Sequence, residues 1–319
     1  VVERGSGKDT SAPPQTQRRL RVTVLCGGPS AEREVSLESG RAVAEALRRR
    51  GHEVFVADIG PQQLSALDRA ADVVFPALHG TFGEDGTLQA ILEQRGIRFV
   101  GSRSAASALA MDKPAAKRVV AGLGLDTPPW WLVTHEDLER GGPLPFHAPL
   151  VIKPVDQGSS VDTVIVRHDG EVVAALARIV SRRGRALVER YIAGDELTVG
   201  IVGRQTLPPI CVRPKREFYD YEAKYRDEST EYLFDAGHPA ELLERLEQQS
   251  WQVFEALGCR HLARVDWIAD AAGRLWFLEV NTIPGFTSHS LVPKAAARVG
   301  LSFDELVDRL VRLAVEDSD

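Results

Sequence analysis

The sequence predicts a mixed α/β protein: a parallel α/β layer first, then two α+β units. Three observations carry this. Short β-branched runs alternate with amphipathic helical stretches over residues ~19–101, the pattern of a parallel sheet. After Gly101 an Ala-rich helical region and strands joined by a Gly/Ser turn fill ~102–192. The remainder, ~193–319, reads as several strands, one long irregular loop and two or three helices.

Residues 1–18 are polar and rich in Gly, Ser, Pro and Gln, the composition of a disordered leader. Val22–Cys26 then reads as a buried strand, broken by Gly27-Gly28-Pro29-Ser30. Leu37 to Arg50 has helical spacing and stops at Gly51. Val54–Ala57 and Val73–Leu78 follow as strands, Leu88–Gln94 as a helix, and Arg98–Val100 as a fourth strand. Ala105–Gly122 is helical; Leu150–Lys153, Val161–Val166 and Leu187–Ile192 read as strands. The last helix, from about Asp304 to Val315, places Leu306, Leu310 and Leu313 on one side.

Composition narrows the function. A net charge of −6 argues against a nucleic-acid surface. No apolar run approaches the ~20 residues of a spanning helix, and no signal peptide is visible. Cys26, Cys211 and Cys259 are odd in number and far apart. That argues against disulfides or a zinc site and points to a reducing cytoplasm. An early βα unit with Gly27-Gly28 suggests a dinucleotide enzyme, but the Gly-x-Gly-x-x-Gly fingerprint is absent.

The most informative segment is Leu262–Ala269, then Asp270-Ala-Ala-Gly273, then Arg274–Asn281. The middle piece is a good turn, so the flanks should pair as a hairpin. A two-residue loop at Ala271-Ala272 sets Arg264 opposite Glu279 and Asp266 opposite Phe277. Arg264, Asp266, Glu279 and Asn281 then share one face, and Val265, Trp267, Trp276, Leu278 and Val280 the other, core face. Converging carboxylates need a cation or another partner. An oxygen-only set suits Mg²⁺, although an ion pair between Arg264 and Glu279 would also answer. Gly285, in the following turn, can present its N–H to an anion.

These residues resemble the metal and oxyanion end of the ATP-grasp ligases, and in particular the D-alanine–D-alanine ligase family. The resemblance runs from about residue 20 to 316 through GGPSAEREVSLESG (27–40), LHGTFGEDGTLQ (78–89), VGSRSAASALAMDK (100–113), VIKPVDQGSSV (151–161), ELTVGIVG (196–203), FYDYEAKY (218–225), ARVD (263–266) and LEVNTIPGFTSHSLVPKAA (278–296). One departure is Asp162, where the family usually has Gly. The resemblance implies an ATP-grasp fold with ATP clamped between 102–192 and 193–319, and a lid loop at 213–231. It implies that Lys113 and Lys153 meet phosphates and that the loop with Ser159 closes over them. Glu189 and Glu196 would hold adenine-side and ribose groups, Arg190, Tyr191 and Ile192 would give adenine its backbone contacts, and Lys224 would touch the γ-phosphate.

On the substrate side, the resemblance implies that Glu32 binds the first D-alanine's ammonium, with His79 and Tyr219 nearby. Read alone, Glu32 is a helix-start acid and His79 a satisfied structural residue. Tyr225, with Glu32 and Ser159, would lock the lid. Ser290 and the Leu291 N–H would hold the second substrate's carboxylate. Asp266, Glu279 and Asn281 would bind two Mg²⁺, for which Mn²⁺ could substitute. Arg264 and the Gly285 N–H would stabilise the oxyanion of ligation through an acyl phosphate. A cytoplasmic homodimer supplying the cell wall is implied, with D-lactate or D-serine ligation, or a non-catalytic ATP-binding homologue, as alternatives. Tyr225 favours an amine nucleophile over D-lactate. Tyr225→Phe should therefore raise the ester-to-peptide ratio in assays with mixed D-alanine and D-lactate; an unchanged ratio would contradict this role.

Overall fold

The computed structural model describes residues 18–142, 144–158, 162–213, 230–234, 236–287 and 290–317. The expected leader lies almost wholly outside them, as do Ser159, Tyr219, Lys224, Tyr225 and most of the 213–231 loop.

Strands β1 (Arg21–Cys26), β2 (Glu53–Asp58) and β3 (Val73–Pro76) form a parallel sheet in the order β2-β1-β3. Helix α1 runs Arg33–Arg49, so it starts four residues before the apolar spacing begins, directly after Glu32. Helix α2 is Thr87–Gln94. The expected fourth strand at Arg98–Val100 is a single bridge, Phe99 to Val74. Val74 donates to the Arg98 carbonyl at 2.8 Å and accepts from the Val100 N–H at 2.9 Å. The next donor on β3 would be Pro76, which has no N–H, so the ladder stops.

The expected helical region Ala105–Gly122 consists of two helices, α3 (Ser104–Met111) and α4 (Lys113–Gly122). Asp112 takes an extended conformation between them and its side chain accepts from the Ala115 N–H at 2.9 Å, while Pro114 suits the first turn. Lys113 thereby becomes the first residue of α4.

Strands β4 (Trp130–Thr134), β5 (Leu150–Pro154), β6 (Val164–Val166) and β7 (Arg185–Arg190) form an antiparallel sheet in the order β4-β7-β5-β6. Helix α5 (His135–Arg140) is set by a capping box of Thr134 and Asp137. Helix α6 (Asp169–Arg183) covers the sheet with Val172, Leu176, Ile179 and Val180. Asp162, just before β6, has φ +58°, a conformation Asp tolerates better than most residues. Its carboxylate faces Arg182 and Arg183, at 3.6 and 3.3 Å.

The largest sheet is built from β8 (Gly194–Val202), β9 (Gln205–Thr206), β10 (Ile210–Arg213), β11 (Glu231–Leu233), β12 (Leu262–Asp270) and β13 (Leu275–Asn281). Its order is β11-β10-β8-β12-β13, antiparallel throughout, with β9 on β8. Helices α7 (Ala240–Ala256), α8 (Leu291–Arg298) and α9 (Phe303–Glu316) complete the chain. No described helix is long and apolar enough to cross a membrane.

The hairpin forms, but in a different register. The loop is three residues, because Gly273 adopts φ +74° and lets Asp270 pair with Arg274. Trp267 then pairs with Phe277, a bulge follows, and Asp266 pairs with Glu279 and Arg264 with Asn281. The bulge places Leu278 beside Glu279 on the cavity side. Phe277, rather than Trp276 or Leu278, is therefore the core residue; it is fully buried edge-on against Trp267.

The chain's end packs on its beginning. Leu306, Val307, Leu310 and Val311 of α9 share one core with Val24, Val43, Leu47 and Phe75. Asp308 lies in that seam, 2.7 Å from His52 Nε2, 3.0 Å from Arg312 and 3.4 Å from Arg50. His52 Nδ1 accepts the Leu20 N–H at 3.1 Å, so Nε2 is the nitrogen that donates to Asp308. Burial disfavours the Asp308 carboxylate, but bonds from Arg312 and His52 outweigh it and hold its pKa below the ordinary 3.8. A depressed acid stabilises the fold above its unfolded pKa, and that stability is lost as pH falls through the folded value. Asp308→Asn should cost about 1.5–3 kcal/mol at neutral pH in urea unfolding. The gap from wild type should close below about pH 4.

Candidate active site

A cavity of about 400 Å³ opens between the β4–β7 sheet and the large sheet. Lys113, Lys153, Glu189, Arg190, Tyr191, Ile192, Glu196, Asp266 and Glu279 all line it. Nine predicted residues thus converge on one space from α4, β5, β7, the link after β7, β8, β12 and β13.

Charge is arranged in alternating sign. Lys113 Nζ lies 3.1 Å from Glu279 and donates to the Gln157 carbonyl at 2.6 Å. Lys153 Nζ lies 2.7 Å from one oxygen of Glu189, and Lys117 Nζ lies 2.6 Å from the other. Arg264 forks onto both oxygens of Asp266 at 2.8 and 2.7 Å, and Thr198 donates to Asp266 at 2.6 Å. Arg264 therefore grips Asp266 on its own strand, and Glu279 pairs with Lys113. Burial works against the Lys153 charge, but Glu189 and Glu279 outweigh it and raise its pKa. Burial likewise opposes the Glu189 charge, and Lys117 and Lys153 overcome it.

Lys117 was not among the residues the sequence singled out. It is fully buried, donates to Thr127 Oγ1 at 2.7 Å and to the Phe277 carbonyl at 3.2 Å, and burial lowers its pKa to about 8. It stands one helical turn beyond Lys113, and that i, i+4 spacing was the available signal. It shares Glu189 with Lys153, whose charge Glu279 and Glu196 also favour. The Arg190 and Tyr191 N–H groups are taken by the Pro129 and Pro149 carbonyls, at 2.9 and 3.1 Å. Any nucleotide contact from this stretch must use its other groups.

A second group of residues adjoins the cavity. Glu32 is buried and its side chain does not cap α1. A Cβ on Gly158 would stand 3.4 Å from Glu32 Oε2 and 3.8 Å from Glu84 Oε2, so this loop lies over both carboxylates. Glu84 was also missed; its signal was an acid in the Gly-rich turn after β3. Its carboxylate accepts the Gly80 N–H at 2.6 Å. Burial first, then Glu32 beside it, holds its pKa well above the carboxylate range.

His79 is already engaged. Its Nδ1 lies 3.1 Å from the Ile283 carbonyl, which can only accept, so Nδ1 carries the proton. Nε2, 3.2 Å from Ser39 Oγ, accepts from that hydroxyl, which itself takes the Phe286 N–H. Burial lowers its pKa and keeps the ring neutral. His79 ties β3 and α1 to the turn after β13 rather than offering a free nitrogen.

In that turn, Asn281 Oδ1 accepts the Ile283 N–H at 3.0 Å. A Cβ on Gly285 would stand 2.7 Å from Ser290 Oγ, so this glycine lies directly against that hydroxyl. Ser290 directly precedes α8, which begins at Leu291. Leu291 is buried, which leaves its backbone N–H as its only polar contribution.

A parallel α/β layer, two α+β layers and a charged cleft between them define an ATP-grasp enzyme of the ligase class. Residues 60–102 match the family model for the D-ala D-ala ligase N-terminus, and 119–312 that for the C-terminus. The chain belongs to the D-alanine–D-alanine ligase family. It is 46% identical to the D-alanine–D-alanine ligase of Syntrophotalea carbinolica over 93% of this chain and 97% of that one. It is 45% identical to the ligase of Marinobacter nauticus, covering 94% and 93%. Among solved structures, the Bacillus anthracis D-alanine–D-alanine ligase complexed with ATP has a TM-score of 0.81 at 33% identity, covering 93% and 97%. The VanG D-Ala:D-Ser ligase of Enterococcus faecalis has a TM-score of 0.81 at 30% identity, covering 93% and 100%.

The raised pKa of Glu84 predicts a slope in stability. Above the unfolded value, near 4.5, the unfolded chain ionises while the folded carboxyl keeps its proton, so stability falls as pH rises through this window. Glu84→Gln imitates the protonated acid and lacks the slope. Urea unfolding without divalent ions should show wild type losing ground to Glu84→Gln as pH rises above about 4.5; parallel curves would refute a raised Glu84 pKa.

Proposed function

We propose that this chain joins two D-alanines into D-alanyl-D-alanine, driven by ATP, through a D-alanyl phosphate, for cell-wall precursor synthesis. The observation that carries the reading is the convergence of Lys113, Lys153, Asp266 and Glu279 on one cavity, with Glu32 adjoining it. Lys113 and Lys153 bind the nucleotide phosphates as point cations. Glu196 and the Arg190–Ile192 stretch hold ribose and adenine. Asp266, Glu279 and Asn281 offer only oxygen ligands, a donor set that fits Mg²⁺ or Mn²⁺. Two such ions, when bound, neutralise phosphate charge during phosphoryl transfer.

Glu32 pairs with the ammonium of the first D-alanine, and His79 holds the surrounding loops in place. The substrate carboxylate oxygen attacks the γ-phosphorus; an O–P bond forms and ADP leaves. The second D-alanine, its carboxylate at Ser290 and the Leu291 N–H, attacks the acyl carbonyl with its amine. Arg264 and the Gly285 N–H stabilise the oxyanion, each such donor worth roughly 10²–10³ in rate. The C–N bond forms as phosphate leaves. Ser159, Tyr219, Lys224 and Tyr225 keep the roles that the family resemblance implies. A homodimer in the cytoplasm completes the proposal.

ADP release assayed with D-alanine, L-alanine, D-serine and D-lactate, with product identification, should show D-alanyl-D-alanine as the main product. Glu279→Gln should lose nearly all turnover while its far-ultraviolet circular dichroism stays that of wild type. Near-normal phosphate release by the variant at saturating Mg²⁺ would contradict the metal assignment.

A further inference from the structure

Asp195, Cys211 and His238 have no role in the chemistry above, although Asp195 also borders the nucleotide cavity, and the fold brings them together from three separate segments. Asp195 begins β8, Cys211 lies on β10 beside it, and His238 precedes α7. One ligand atom from each falls within 4.8 Å of the other two. Thiolate, imidazole and carboxylate form a donor set for a soft or borderline divalent cation, whereas the all-oxygen set at Asp266 and Glu279 suits a hard one. The sequence argued against zinc because the three cysteines are scattered; the fold pairs one of them with histidine and aspartate instead.

We propose that Asp195, Cys211 and His238 form a zinc-class metal site, separate from the magnesium site. His238 Nε2 is buried and lies 3.1 Å from Asp195 Oδ2, an ion-pair distance. The imidazole nitrogen, the carboxylate oxygen and the thiol sulfur thus converge from separate segments, close enough together to share one ion. Cys211 is buried with Leu197 in the core beneath α7, while its neighbour Val212 lines the nucleotide cavity. Burial, then Asp195, pushes the thiol up to about 11, so without an ion the sulfur is protonated. On binding, the S–H bond breaks, a sulfur–metal bond forms and one proton leaves to solvent. Arg213 Nη2 holds Asp195 Oδ2 at 3.1 Å. A carboxylate has room for both, and such an outer partner orients a ligand. Water would complete a tetrahedron.

The test uses the full chain in excess Mg²⁺, with Co²⁺ as the spectroscopic probe for zinc. A sulfur-to-cobalt charge-transfer band should grow to one equivalent, release one proton per ion and be displaced by Zn²⁺. Cys211→Ser should lose the band and Cys259→Ser should keep it. His238→Ala, at a partly exposed position, should weaken Co²⁺ binding by roughly tenfold or more. Zn²⁺ should raise the melting temperature of wild type but not of Cys211→Ser. Absence of the band in folded wild type, or its persistence in Cys211→Ser, would overturn the site. Neither result bears on ligase turnover, which is assayed separately.

Discussion

The alternation of buried cations and carboxylates around one cavity is the constraint on which the rest of the structure depends. An isolated charge in such a place would cost several kcal/mol. Here each is matched: Lys113 with Glu279, Lys117 and Lys153 with Glu189, and Arg264 with Asp266. The partners come from α4, β5, β7, β12 and β13, so the pairing holds only when both antiparallel sheets and the helix between them are in place. Local features serve this geometry. Asp112 ends one helix and starts the next so that Lys113 heads α4, and the bulge beside Leu278 turns Glu279 toward the cavity.

The second centre, around Glu32, is built by different means. Its polar groups are satisfied mostly by backbone. Ser30 donates to the His79 carbonyl at 2.6 Å and accepts the Glu32 N–H at 3.1 Å. His79 and Ser39 carry the same network to the turn at Ile283–Phe286. The first layer and the turn after β13 are thereby fastened together at the point where the proposed substrates meet, while α9 fastens them from behind through Asp308 and His52. A buried, fully satisfied network of this kind rigidifies a site.

Much of this was legible in the sequence because period-two alternation fixes faces. Arg264, Asp266, Glu279 and Asn281 were placed together even though the predicted register was wrong, since a slip of two residues preserves the face. What alternation cannot show is a bulge, and so Phe277 changed places with Leu278. Lys117 escaped notice because a lysine in an Ala-rich helix reads as solvated; only packing of α4 on β13 buries it. His79 illustrates the opposite limit. Its position beside a strand end suggested a substrate contact, and only the three-dimensional partners showed both nitrogens occupied.

The same charge pairs bear on how the proposed ligands would enter. Lys113 and Glu279 neutralise each other, as do Arg264 and Asp266, so the cavity has little net field of its own to favour a polyphosphate. Nucleotide alone would need the lysines to abandon carboxylates that then stay buried and unpaired, and metal alone would strand the cations. Nucleotide and divalent ions together permit an exchange of partners, lysine to phosphate and carboxylate to metal, with every charge matched before and after. Glu189 stands outside that exchange. Held from its other side by Lys117, it keeps Lys153 in position whether its amine faces a ligand or not.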